Sequence, residues 1–249
     1  MSNEKIDDIE ALKVSGRYED AIHQIEDSIA SATDDSERLL YLTNLVVCAT
    51  NIRNEAMARG AIDKLYQLRP LPGEEPFRNY VAGCFFLSFA EPQKAFELFL
   101  LNLENPILLA PEFREHRYEN LAQCGFALCH LGRYTEALSR FDEAEEFLPA
   151  RELHVDIEFY RITCLVQLKR LDEAARIAER ATQNGSTEIR ARARFDLAEI
   201  RFEQRRFEEA LSLYSEVETL LPCDGIAEFD VRRGISTSMD ALTKTRRLQ

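Results

Sequence analysis

Six alanines recur at nearly constant intervals along this 249-residue chain. They are Ala21, Ala58, Ala95, Ala137, Ala174 and Ala210, separated by 37, 37, 42, 37 and 36 residues. A fixed period of this length marks a stack of like supersecondary units, each unable to bury its apolar face alone. The residues around the alanines return with them. The first copy has Leu12, Gly16, Tyr18 and Ile25; the second has Leu42, Val46, Ala49, Ile62, Leu65 and Pro70. The third has Gly83, Phe86 and Phe99, and the fifth has Ile162, Leu165, Leu171, Ala178 and Ala181. The sixth has Leu197, Ala198, Phe207, Tyr214, Val217 and Pro222. Strand-forming clusters are scarce, and only nine glycines and eight prolines interrupt the chain. Every unit therefore reads as a pair of helices.

The residue types have a physical rationale. Glycine inside a helix costs about 1 kcal/mol relative to alanine, so Gly83 and Gly125 imply close approach of a second helix. Ala198 serves the same need in the sixth copy. Phe99, Phe141 and Tyr214 are expected to reach into the neighbouring unit, each burial contributing roughly 1.5–3 kcal/mol. Pro149 and Pro222 end their helices because proline cannot continue one. The second and fifth copies put Val46 and Ile162 where the others have a small residue, and some local widening is expected there.

The fourth copy is the fullest: Leu121-x-x-Cys124-Gly125-x-x-Leu128, then Gly132-Arg133-Tyr134-x-x-Ala137-x-x-x-Phe141-x-x-Ala144 and Pro149. It resembles the tetratricopeptide repeat, whose W-x-x-L-G-x-x-Y…A-x-x-x-F…P pattern it follows with Leu121 for Trp and Leu128 for Tyr. The resemblance implies an all-α, right-handed α-α superhelix of six helix–turn–helix repeats. The expected repeats are 2–36, 37–73, 74–110, 111–152, 153–188 and 189–225, in one solenoid domain over 1–249. Ala227, Val231, Gly234, Ile235, Ser238, Met239 and Leu242 recur at helical spacing and predict a C-terminal capping helix over 226–247.

Between the third and fourth copies the chain gains about five residues, within Asn102–Pro111. Pro111 followed by Glu112 reads as a helix start. The run Ile107-Leu108-Leu109 is expected either to tuck over the preceding helix or to stand out as a docking patch.

In the family, first helices line a concave face where partners lie. Projecting that face here yields Asn44, Asn51, Tyr80, Cys84, Gln123, Phe126, His130, Phe159, Tyr160, Thr163 and Phe195 as groove residues. Aromatic anchors beside amides suit an extended peptide, whose backbone needs donors and acceptors and whose side chains need pockets. The cationic clamp by which chaperone-tail receptors of this family hold a terminal carboxylate is missing; its slots hold residues such as Glu10, Phe77, Val81 and Asp156. The expected function is a protein-binding adaptor or scaffold. The alternative is a sensor that binds a short peptide or small ligand and signals through a partner.

Other classes find little support. A formal charge of −13 repels phosphates and disfavours nucleic acid as a partner. The charge is uneven, acidic in the first repeat and basic at Arg232, Arg233, Lys244, Arg246 and Arg247, so the chain is expected as a monomer or a weak end-to-end oligomer. Without a secretory signal or an apolar run near 20 residues, it is expected to be cytoplasmic and without a membrane partner. Six cysteines (Cys48, Cys84, Cys124, Cys129, Cys164, Cys223) lack metal-site or disulfide spacing. His23, His116, His130 and His154 form no catalytic or metal-binding motif, so neither an enzyme nor a cofactor is expected.

Overall fold

The computed structural model describes residues 2–69, 71, 73–147, 155–220 and 226–247. Pro70, Pro149, Pro222, His154 and Cys223 lie outside the described residues, as do the side chains of Ala227, Arg246 and Arg247. Among the described residues the regular structure is helical: α1 Ser2–Val14, α2 Tyr18–Ser31, α3 Asp35–Asn51, α4 Glu55–Gln67, α5 Glu75–Ser88, α6 Pro92–Glu104 and α7 Arg114–His130. There follow α8 Tyr134–Glu145, α9 Val155–Gln167, α10 Leu171–Ala181, α11 Thr187–Glu203, α12 Phe207–Leu220 and α13 Ile226–Arg247. They pack as consecutive helix–turn–helix pairs. By packing, the chain divides into two compact units. One holds the helices up to Gly132 and the residues from Asp142 at the end of α8; the other holds Arg133–Phe141 and the helices from α9 onward.

The hairpin turns share one design. Gly16, Arg53, Ala90, Gly132, Lys169 and Arg205 all adopt left-handed backbone, with φ between 58° and 74°. Each lies five residues before a repeat alanine. The next amide then bonds back to the preceding helix: Arg17 N to Leu12 O at 2.9 Å, and Asn54 to Ala49, Glu91 to Phe86, Arg170 to Leu165 and Arg206 to Arg201 at 2.8 Å. This six-to-one bond closes the helix end and aims the chain into the second helix. The same residue often secures the new helix, as in the ion pairs Arg17–Asp20, Arg170–Glu173 and Arg206–Glu209, each at 2.7 Å.

In the hairpin of α5 and α6 the helices meet through residues sixteen apart. Gly83 and Phe99 are such a pair, and a Cβ on Gly83 would lie 2.6 Å from the Phe99 ring. Phe99 therefore fills the space inside its own hairpin. Tyr214 does reach forward: a Cβ on Gly234 of α13 would come within 2.5 Å of its ring. With Val231, 4% exposed, this seats α13 on α12 as the cap. In the fifth repeat the sizes are reversed, with Ile162 on the first helix and Ala178 on the second, both in one buried cluster.

The insertion folds into two 3₁₀ turns, Pro106–Leu109 and Pro111–Phe113, the first capped by Asn105 Oδ1 accepting from Ile107 N at 3.1 Å. Its apolar run is divided: Leu108 is 2% exposed and Leu109 67%. The expected helix start at Pro111 is the second 3₁₀ turn, which leads directly into α7. Below it, buried Asn102 on α6 donates to Pro76 O at 2.7 Å and to Asn120 Oδ1 at 2.9 Å. That strap fixes the start of α5 relative to α7.

Candidate functional site

In the first unit the first helices α3, α5 and α7 lie side by side, with α5 touching both neighbours. The α3–α5 seam opens into a cleft of about 360 Å³. Val46, Val47, Val81 and Phe85 make it apolar, while Thr50, Asn51, Arg53 and Ser88 supply polar groups toward the carboxyl ends of both helices. Asn51 Nδ2 donates to Val47 O at 2.9 Å, and Arg53 Nη1 donates to Ser88 O at 3.0 Å. Tyr80 and Cys84 complete this cleft.

Tyr80 also lines a second cleft, of about 170 Å³, in the α5–α7 seam. Pro76, Phe77 and Leu108 give it an apolar lining, and His116, Glu119 and Asn120 face it from α7. The inserted residues thus supply one of its walls. A third cleft, of about 620 Å³, lies at the amino ends of α3 and α5, where Asp34, Glu37 and Glu74 accompany Leu40 and Phe77.

Tyr80 stands between the α3–α5 and α5–α7 clefts. Its hydroxyl hydrogen-bonds with Cys84 and Gln123, and burial raises its pKa. Burial also pushes the Cys84 thiol up to about 12, so it lines the cleft as a neutral group. Among the described residues no group of three His, Cys, Asp or Glu side chains could hold a metal ion. No helix among them is long and apolar enough to cross a membrane.

The groove residues expected from sequence fall in both units. Asn51, Tyr80 and Cys84 come together around the α3–α5 cleft, with Gln123 bonded to Tyr80. Asn44 is buried beneath Lys13, whose Nζ donates to its Oδ1 at 2.6 Å, and it ties α1 to α3. Phe126 is half-buried and His130 exposed, both on α7. In the second unit, Arg192 lies 5.7 Å from the half-buried Phe159 ring and pairs with Asp196. Phe195 packs edge-on against Tyr214 at 5.8 Å. Tyr160 is half-buried, and Thr163 is exposed with its hydroxyl bonded to Phe159 O. The projection missed Thr50, Arg53 and Ser88, which sit where the helices are ending, and Leu108, which belongs to no helix of the repeat. Arg53 stands five residues before a repeat alanine, a spacing that marks it in the sequence, whereas the periodicity marks neither Thr50 nor Ser88.

Paired helices, a repeated hairpin turn and a clefted layer of first helices define a helical-repeat protein. The tetratricopeptide repeat family model matches residues 127–189 and 165–222. No curated protein matches the chain. Among solved structures, the apo form of the quorum sensor NprR from B. thuringiensis superposes with a TM-score of 0.71 at 12% identity, over 99% of this chain and 72% of that one. Pseudomonas aeruginosa pilF gives 0.67 at 12% identity, over 93% and 95%. A tetratricopeptide repeat protein from Parabacteroides merdae gives 0.60 at 15% identity, over 92% and 80%. At these identities the likeness is one of fold. Residues 127–222 match the tetratricopeptide repeat, and the fold of the chain is that of such a helical-repeat array.

Proposed function

We propose that this chain is a binding module that holds a segment of a partner protein against its first helices, centred on Tyr80. The observation that carries the reading is the pair of clefts on either side of that residue. Their floors are apolar and their rims offer amide, hydroxyl and guanidinium groups. Such surfaces take side chains into pockets while polar groups satisfy the ligand backbone. Asn51, Tyr80, Cys84 and Gln123 form the proposed contact set in the first unit. The half-buried Phe126, Phe159, Tyr160 and Phe195, with His130 and Thr163, offer further contacts.

Affinity capture from source-cell lysate tests this, comparing the wild-type chain with an Asn51→Arg, Tyr80→Ala variant of unchanged circular dichroism. The expected result is at least one protein retained by the wild type and lost by the variant. Identical catches would overturn the proposal.

A further inference from the structure

We propose that the segment held here is extended and basic, placing two large apolar side chains three residues apart in the clefts flanking Tyr80. This rests on the reading of the first helices as a binding face and adds the spacing and charge of the occupant. The two clefts lie on opposite sides of α5, in neighbouring interhelical seams. Packed helices are about 8–10 Å apart, and that is the distance two anchors must bridge. A polyproline-type segment rises about 3.1 Å per residue with three residues per turn, so residues i and i+3 share a face about 9 Å apart. A β-strand returns to the same face after about 7 Å, which falls short. A helix, about 10–12 Å across with its side chains, is too broad for the smaller cleft.

The α5–α7 cleft depends on the insertion, because Leu108 of the inserted 3₁₀ turn forms part of it. The Asn102 strap to Pro76 and Asn120 holds both sides in place. Binding there needs little ordering of the receptor.

Charge supplies the second half of the inference. Asp34, Glu37 and Glu74 all line the cleft at the amino ends of α3 and α5. Their hydrogen bonds come from Glu37 N, Thr33 N and Oγ1, and Leu71 N, with no cation among them. The two helix dipoles offset about half a charge each, leaving roughly two of the three negative charges uncompensated. Phe77, 40% exposed, lines both this cleft and the α5–α7 cleft. An exposed ring beside carboxylates is a seat for a lysine or arginine adjacent to the apolar anchors.

The test is selection of a phage-displayed library of random ten-residue peptides on the full chain. Enriched peptides are then counter-screened on Asn51→Arg and Phe77→Ala, two exposed positions where folding is readily retained. Expected are peptides with large apolar residues at i and i+3 flanked by Lys or Arg. Their synthetic consensus should bind at least tenfold more weakly to Phe77→Ala, and at least fivefold more weakly in 300 mM than in 50 mM NaCl. Peptides lost on Asn51→Arg but showing another spacing or acidic flanks would overturn this inference and leave the binding face intact. No enrichment that depends on either position would overturn both.

Discussion

The Phe99 ring occupies the space that a side chain on Gly83 would need, with its Cε1 2.6 Å from the Cβ position. Gly83→Ile alone should destabilise the chain by about 1–3 kcal/mol through overpacking, and Phe99→Ala by about 3–5 kcal/mol through a cavity. The double variant reproduces the size order of Ile162 and Ala178. It should be more stable than the summed losses predict by over 1 kcal/mol, measured from urea unfolding. Strict additivity would show that these positions do not share a packing site.

Four of the six left-handed turn residues carry a side chain: Arg53, Ala90, Lys169 and Arg205. That conformation costs an L-residue about 1–2 kcal/mol, and glycine's greater freedom when unfolded returns part of it. Ala90→Gly and Lys169→Gly should each stabilise by about 0.5–1 kcal/mol and raise Tm, while Gly132→Ala should lower it. Scanning calorimetry decides; a fall in Tm for both glycine variants would remove the strain argument.

Asp196 provides the pH dependence. Burial pushes its pKa up to about 6, against the opposing pull of Arg192. A carboxyl that holds its proton more tightly when folded contributes stability below about pH 4, and this is lost as pH rises through 6. Between pH 7 and pH 5 the wild type should therefore gain about 1 kcal/mol more unfolding free energy than Asp196→Asn. Parallel pH profiles of the two proteins would refute the shift.

Cys84 should be a poor nucleophile. With its thiol pushed up to about 12, only about one molecule in ten thousand carries thiolate at pH 8, against about a quarter for an unperturbed cysteine. Alkylation by iodoacetamide, followed by peptide mapping, should be at least a hundredfold slower than for a free cysteine and recover in urea. Labelling at the free rate would contradict the environment described for Tyr80 and Cys84.

Much of this molecule is legible from sequence because its information is periodic. The alanines set the pitch, and Gly83 and Gly234 stand where close approach demands them. The direction of each aromatic side chain was harder to read. Phe99 meets Gly83 of its own hairpin and Tyr214 meets Gly234 of the next helix, although both occupy the same place in the repeat. The α5–α7 cleft was hidden for another reason. Leu108 lies in inserted residues, where no periodicity says which of three neighbouring apolar side chains turns inward. Asn44 fell on the projected face, yet Lys13 from outside that face covers it.

The sixteen-residue pairing has a consequence for how such arrays diversify. Gly83 with Phe99, Val46 with Ile62 and Ile162 with Ala178 are three divisions of one shared space. Exchanging a lone helix between repeats would bring Ile162 against Phe99, or leave Gly83 facing Ala178 across a void. Exchanging both helices together carries each match along. The hairpin is thus the smallest piece that can be duplicated, transplanted or recombined without mending, and drift within it is a conversation between two positions.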